Sequence, residues 1–61
     1  MSALKRTRKL HGYTQMELAQ AIGVTQGAVH QWETGKSHPT VENLRKIAQV
    51  FNCKVDDLID T

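Results

Sequence analysis

The chain carries a single cysteine, Cys53, so no internal disulfide can hold it together. A reducing compartment suits such a chain, and a small buried apolar role suits the thiol. No apolar run approaches membrane-spanning length, and the N-terminal MSALKRTRKL lacks the apolar centre of a secretion signal. These absences make the cytoplasm the expected location. Alternation of apolar and polar residues never persists, so no strands are expected. Aromatic side chains are equally scarce. Tyr13, Trp32 and Phe51 are the whole set, each at a core-like spacing, which argues against the exposed stacking platforms of RNA and single-strand binders. Repeats, low-complexity tracts and linkers are missing too. What remains is one expected domain, 1–61, near the lower size at which a chain folds without a metal or disulfide. So small a core rarely contributes more than about 3 to 5 kcal/mol, and a homodimer sharing apolar surface is a natural supplement.

A net charge of +2 is modest, but it is unevenly spread. Residues 1–38 set Lys5, Arg6, Arg8, Lys9 and Lys36 against Glu17 and Glu33, a balance of +3, and hold all 3 histidines. Residues 39–61 set Arg45, Lys46 and Lys54 against Glu42, Asp56, Asp57 and Asp60, a balance of −1. A footprint for a polyanion has this asymmetry, although a solvated helix face also accounts for Lys5 and Arg6. His11, His30, His38 and Cys53 match no zinc-ligand spacing, so no metal or other cofactor is expected. No nucleophile lies beside a base or an oxyanion motif, and a small all-helical chain offers no deep pocket for a small molecule. An enzyme is not expected.

What is present is helical grammar throughout. The first helix runs from about Ser2, as N-cap, to His11, with Ala3, Leu4, Thr7 and Leu10 inward and Gly12 as its stop. Thr14 caps a second, and Glu17 completes a capping box. Gly23 ends it in a tight turn, Thr25 caps a third that stops near Gly35, and a loop from Lys36 to Pro39 follows. Thr40 caps the fourth, Val41 to Phe51, whose stripe is Val41, Leu44, Ile47, Ala48 and Phe51, with Asn52 as stop. A short last helix from Val55 to Ile59 folds Leu58 and Ile59 onto the core. The expectation is a compact all-α domain of five helices.

Within it, Gln15 to Thr34 reads as a helix-turn-helix. Leu18, Ala19 and Ile22 face Val24, Val29 and Trp32 across the turn, while Gln26, Gly27, His30 and Gln31 are left facing away. A glutamine amide carries a donor and an acceptor that match adenine N7 and N6 in the major groove. Ordinary solvation is the alternative for any one of them. Gly27 costs about 1 kcal/mol against alanine inside a helix. Its bare backbone leaves room to approach a thymine methyl or leaves one base pair unread, unless it is simply neutral at an exposed first turn.

Arg8, Gly12-Tyr13-Thr14-Gln15, Leu18-Ala19, Gly23-Val24, Val29, Trp32-Glu33, Gly35, Pro39, Leu44 and Ile47-Ala48 together resemble the Cro and lambda-repressor-like helix-turn-helix proteins of phages, also called the xenobiotic-response-element family. The resemblance covers almost the whole chain. It implies a sequence-specific transcriptional regulator, a Cro-like repressor that binds a palindromic operator in double-stranded DNA as a homodimer. The alternative is an antitoxin that neutralises a toxin and autoregulates its operon. Base reading falls on Thr25, Gln26, Gly27, Ala28, His30 and Gln31, with the two glutamines foremost and Ala28 able to meet a methyl group. Phosphate contact falls on Thr14, Gln15, Lys36, Ser37, His38 and Asn43, where Gln15 also braces Gln26. Arg8 and Glu33 correspond to an ion pair joining the first helix to the third, and Arg8 can also reach a phosphate. Lys54 and Val55 are the expected dimer contact, with core packing as the alternative for Val55. Ser37 and His38 replace further basic residues common in the family's loop, which lowers the expected affinity at physiological salt.

Overall fold

The computed structural model describes residues 1–60; Thr61, the end of the expected domain, lies outside the described residues. Four α-helices follow one another: α1 (Ser2–Leu10), α2 (Gln15–Ile22), α3 (Gln26–Thr34) and α4 (Val41–Phe51). The fifth expected helix is a 3₁₀ turn, Val55–Leu58. Its Asp57 N–H donates to the Lys54 carbonyl at 3.0 Å, an i+3 bond, and the chain turns extended at Ile59 before an α turn can close. Leu58 is fully buried there, but Ile59 is 41% exposed. No strand occurs among the described residues.

Three helices start on a threonine, each for the same reason. The hydroxyls of Thr14, Thr25 and Thr40 accept from the N–H groups of Glu17, Ala28 and Asn43 at 3.0, 3.1 and 3.1 Å. Each satisfies a donor that the first helical turn leaves unpaired. At Thr14 the Glu17 carboxylate also accepts the Thr14 N–H at 2.8 Å, closing the capping box. Between α2 and α3 the chain reverses at Gly23, whose φ of 78° a side chain would strain. Both Gly23 and Val24 then donate to the Ala19 carbonyl at 2.9 Å, and the two helices pack closely.

The start of α1 departs from the expected cap. Ser2 lies inside the first turn, and the acceptor is Asp60 from the far end of the chain. Asp60 accepts the Ser2 and Ala3 N–H groups at 2.8 and 2.6 Å and the Ser2 hydroxyl at 3.1 Å. A carboxylate is the stronger acceptor and its charge suits the positive end of the helix, so it displaces the serine. Beside it the Met1 amino group donates to the Trp32 carbonyl at 2.8 Å, joining the start of α1 to the end of α3.

The core gathers Leu4 from α1, Leu18, Ala19 and Ile22 from α2, Val29 and Trp32 from α3, Leu44, Ile47, Ala48 and Phe51 from α4, and Leu58. Tyr13 meets Phe51 edge-on at 5.2 Å, and His11 lies over the same ring at 4.8 Å. Two apolar residues assigned inward lie outside: Leu10 is 78% exposed and Val41 61%. Leu4 and Arg8, four residues apart, share the inner face of α1, and Leu10 is turned about 200° from Arg8. Val41 is the first residue of α4, a full turn before the stripe begins at Leu44.

The Asp60 clamp predicts a pH signature. The Ala3 and then the Ser2 N–H groups hold the Asp60 carboxyl below its usual value. A depressed carboxylate adds stability that is complete at neutral pH and lost as pH falls through its folded-state pKa. Asp60→Asn should therefore lower the thermal midpoint at pH 7, with the gap from wild type narrowing below about pH 4. Equal midpoints at pH 7 in circular-dichroism melts would show that the clamp contributes nothing.

Candidate nucleic-acid interface

The site is organised from beneath by a buried charge pair. Arg8 Nε donates to Glu33 Oε2 at 2.6 Å and Arg8 Nη2 to Glu33 Oε1 at 3.0 Å, with side-chain exposures of 8% and 2%. Arg8 Nη1 donates to the Tyr13 carbonyl at 2.7 Å, and Gln15 Nε2 to Glu33 Oε1 at 3.0 Å. One network thus fixes α1, the turn at Tyr13 and the start of α2 against the last turn of α3. Burial pushes the Glu33 carboxyl up, but the bonds from Arg8 and Gln15, with the charges of Arg8 and Lys5, carry it below its usual value. Among the described residues no buried side-chain polar atom lacks a partner, so the desolvation of this pair is compensated locally. Three of the five guanidinium N–H donors are spent internally, so Arg8 is not presented to a phosphate as expected.

Above this network α3 exposes an arc. At 100° per residue Gln26, His30, Thr34, Gly27 and Gln31 occupy about 140° of its circumference in that order, and all are exposed. Gln26 stands at the edge next to Glu33 and Gln31 at the opposite edge. Gly27 lies inside the arc, where an added Cβ would meet only the Thr25 hydroxyl oxygen at 3.9 Å. Nothing within the protein therefore requires glycine there. Ala28 falls outside the arc. It is half-buried and packs against the core, which leaves its methyl group only partly exposed. Thr25 is exposed, with its hydroxyl committed to the Ala28 N–H.

The residues expected at phosphates divide in the same way. Thr14, Lys36 and His38 are exposed, whereas Gln15, Ser37 and Asn43 are half-buried. Gln15 spends one amide proton on Glu33 and keeps one, and no bond joins it to Gln26. Ser37 donates its hydroxyl to Gln31 Oε1 at 3.3 Å. Lys54 is exposed, while Val55 packs on the core and so needs no partner chain to explain it. His11, His30, His38 and Cys53 do not converge: among the described residues no three His, Cys, Asp or Glu side chains gather where a metal could sit. Three contacts escaped the sequence reading. The bonds of Gln15 to Glu33, Ser37 to Gln31 and Asp60 to α1 span 18, 6 and 58 residues, beyond the reach of any local spacing rule.

A short helix, a glycine turn and a second helix with an exposed polar arc, held over a buried arginine–glutamate pair, match the Helix-turn-helix family, whose sequence model covers residues 4–58. The chain belongs to that family. It is 34% identical over 56 residues to the HTH-type transcriptional activator BcrR of Enterococcus faecalis, covering 92% of this chain and 28% of that protein. It is 36% identical over 55 residues to the cryptic phage CTXphi transcriptional repressor RstR of Vibrio cholerae, covering 90% of this chain and 49% of that protein. The chain thus spans about a quarter and about half of these two relatives. Its fold is similar to the crystal structure of the P22 c2 repressor protein in complex with a synthetic operator. There the TM-score is 0.88 at 29% identity, covering 97% of this chain and 89% of that one. No helix among the described residues is long and apolar enough to cross a membrane.

The buried network makes the first functional test a structural one. Glu33→Ala strands Arg8 and should cost about 3 kcal/mol in urea unfolding. Arg8→Ala should cost a comparable amount, and the double substitution should fall short of the sum by about 0.5 to 3 kcal/mol because no charge is left unpaired. Simple additivity would show that the two side chains act independently.

Proposed function

We propose that this protein is a sequence-specific regulator of transcription that binds double-stranded DNA, acting in the cytoplasm as a repressor that covers a palindromic operator as a homodimer. The observation that carries this reading is the exposed polar arc of α3, framed by Gln26 and Gln31 and anchored rigidly from behind by Glu33. A fixed helix face with amides at its edges fits the major groove, where base edges present paired donors and acceptors. The likeness of the fold to a repressor held on operator DNA supports the same docking. Thr14 and Gln15, at the positive end of α2, meet backbone phosphates together with Lys36, His38 and Asn43. Twofold symmetry follows from the need for more contact than one short helix supplies, with half-sites about 34 Å apart. Lys54 lies at the contact between copies. The chemistry is occupancy: a bound dimer excludes polymerase, and no bond is made or broken.

The roles separate by how each substitution responds to sequence and salt. Gln26→Ala should cost about 1 to 3 kcal/mol on the selected operator and far less on random duplex. Lys36→Ala should weaken both alike and lower the slope of log affinity against log salt by about one. If all substitutions along α3 and its loop weaken both DNAs equally, the base-reading assignment fails.

Gly27 gives an independent check. Since a methyl group there makes only an ordinary contact with the Thr25 hydroxyl oxygen at 3.9 Å, Gly27→Ala should raise stability by about 0.5 to 1 kcal/mol. If the bare backbone lies against a base pair, the same variant binds the operator more weakly despite folding better. Unchanged operator affinity would place Gly27 off the DNA.

A further inference from the structure

The bonds around Gln31 point to a role for its neighbours in the loop that follows. Most of the closing bonds of the C-terminal turn of α3 end on this residue. Its carbonyl accepts the Lys36 N–H at 2.9 Å, the Ser37 N–H at 3.3 Å and the Thr34 hydroxyl at 3.3 Å. Gly35, at φ 83°, turns the chain so that Lys36 and Ser37 fold back over it. Ser37 is half-buried in that turn, and its hydroxyl donates to the side-chain oxygen of Gln31 at 3.3 Å. The bond is long for a hydroxyl and directs more than it stabilises. The backbone bonds to the Gln31 carbonyl hold the Ser37 hydroxyl beside the Gln31 amide.

A glutamine amide has one oxygen, which accepts, and one nitrogen with two protons to give. With the oxygen bonded to Ser37, the nitrogen keeps both its protons, and among the described residues they have no partner. We infer that Ser37 is a positioning residue that draws the Gln31 oxygen towards the loop and leaves the amide nitrogen as the group that meets a base, so that Gln31 selects guanine over adenine. Adenine offers N7 as acceptor but N6 as donor, so it needs the amide oxygen as well as the nitrogen. Guanine offers N7 and O6, both acceptors, and is served by the nitrogen alone. Gln26, whose amide makes no bond among the described residues, keeps both groups and stays free to pair with adenine. Ser37 acts through Gln31 and touches no phosphate. The inference rests on the reading that α3 contacts bases.

The test is binding of the full chain to its selected operator and to versions with each base pair replaced in turn. Gln31→Ala first marks the pair that Gln31 reads, as the one position where discrimination disappears. At that pair the wild-type protein should prefer guanine over adenine by about tenfold, the lower part of the range for one good base contact. Ser37→Ala should reduce this preference to about twofold, with other positions and the circular-dichroism spectrum unchanged, and Ser37→Thr, which keeps the hydroxyl, should restore it. Added to Gln31→Ala, the Ser37→Ala change should do nothing more. A wild-type preference for adenine, or a guanine preference indifferent to Ser37→Ala, overturns the inference while leaving DNA binding intact. A uniform loss of affinity at every sequence with Ser37→Ala overturns it too, because that is the mark of a phosphate contact. A wild-type protein that selects no duplex site at all overturns both the inference and the reading beneath it.

Discussion

The position of α3 depends on the buried pair between Arg8 and Glu33. Without it, α3 would rest on two large side chains, Val29 and Trp32, and an apolar contact of that size fixes distance better than rotation. A bidentate guanidinium-carboxylate pair supplies the missing direction, since its two parallel bonds have one planar arrangement. The geometry then propagates: Arg8 holds the Tyr13 carbonyl and Glu33 holds Gln15. Both ends of the helix-turn-helix are therefore referred to one pair of charges. Burying them costs desolvation, and satisfying every donor locally keeps that cost tolerable in a chain whose core is small.

The parts of the fold that could be read in the sequence are those encoded within a few residues. Threonine caps at Thr14, Thr25 and Thr40 and left-handed stops at Gly23, Gly35 and Asn52 all stand where the pattern places them, because a cap is an interaction between positions three apart. Errors fell at helix ends. Apolar character alone sends Leu10, Val41 and Ile59 inward, yet Leu10 is turned off the inner face that Arg8 holds, Val41 precedes the buried stripe of α4, and Ile59 follows the last turn on extended backbone. The last segment, expected as a fifth short helix from Val55 to Ile59, closes only a 3₁₀ turn over Val55–Leu58. The clamp from Asp60 was invisible because a carboxylate 58 residues away competes on equal terms with the local Ser2 hydroxyl and wins on charge.

For the site the division runs differently. Which residues lie on the exposed face of α3 followed from helical spacing alone, as Gln26, Gly27, His30 and Gln31 show. Which atoms of those residues are available did not follow. Ala28 looked exposed by type and is half-buried by rotation, and Gln15 looked free and is bonded to Glu33. Spacing places side chains on faces, whereas hydrogen-bonding capacity depends on partners brought in by the tertiary fold.

Charge and amide chemistry then divide the work of binding. Arg8 is neutralised internally, which leaves Lys36 as the one lysine or arginine in the loop after α3. With so few cations beside α3, the sequence-independent attraction to a phosphate backbone is weak and its dependence on salt shallow. Weak background affinity is not a handicap for a reader. Discrimination is a difference between operator and random duplex, and cations raise both terms together while amides raise only the first. On the proposed function, a helix that offers glutamines, a bare glycine backbone and little charge favours contacts that depend on sequence over those that do not. In the proposed dimer the contact free energies of the two half-sites add, so the discrimination made at each half-site multiplies across the operator.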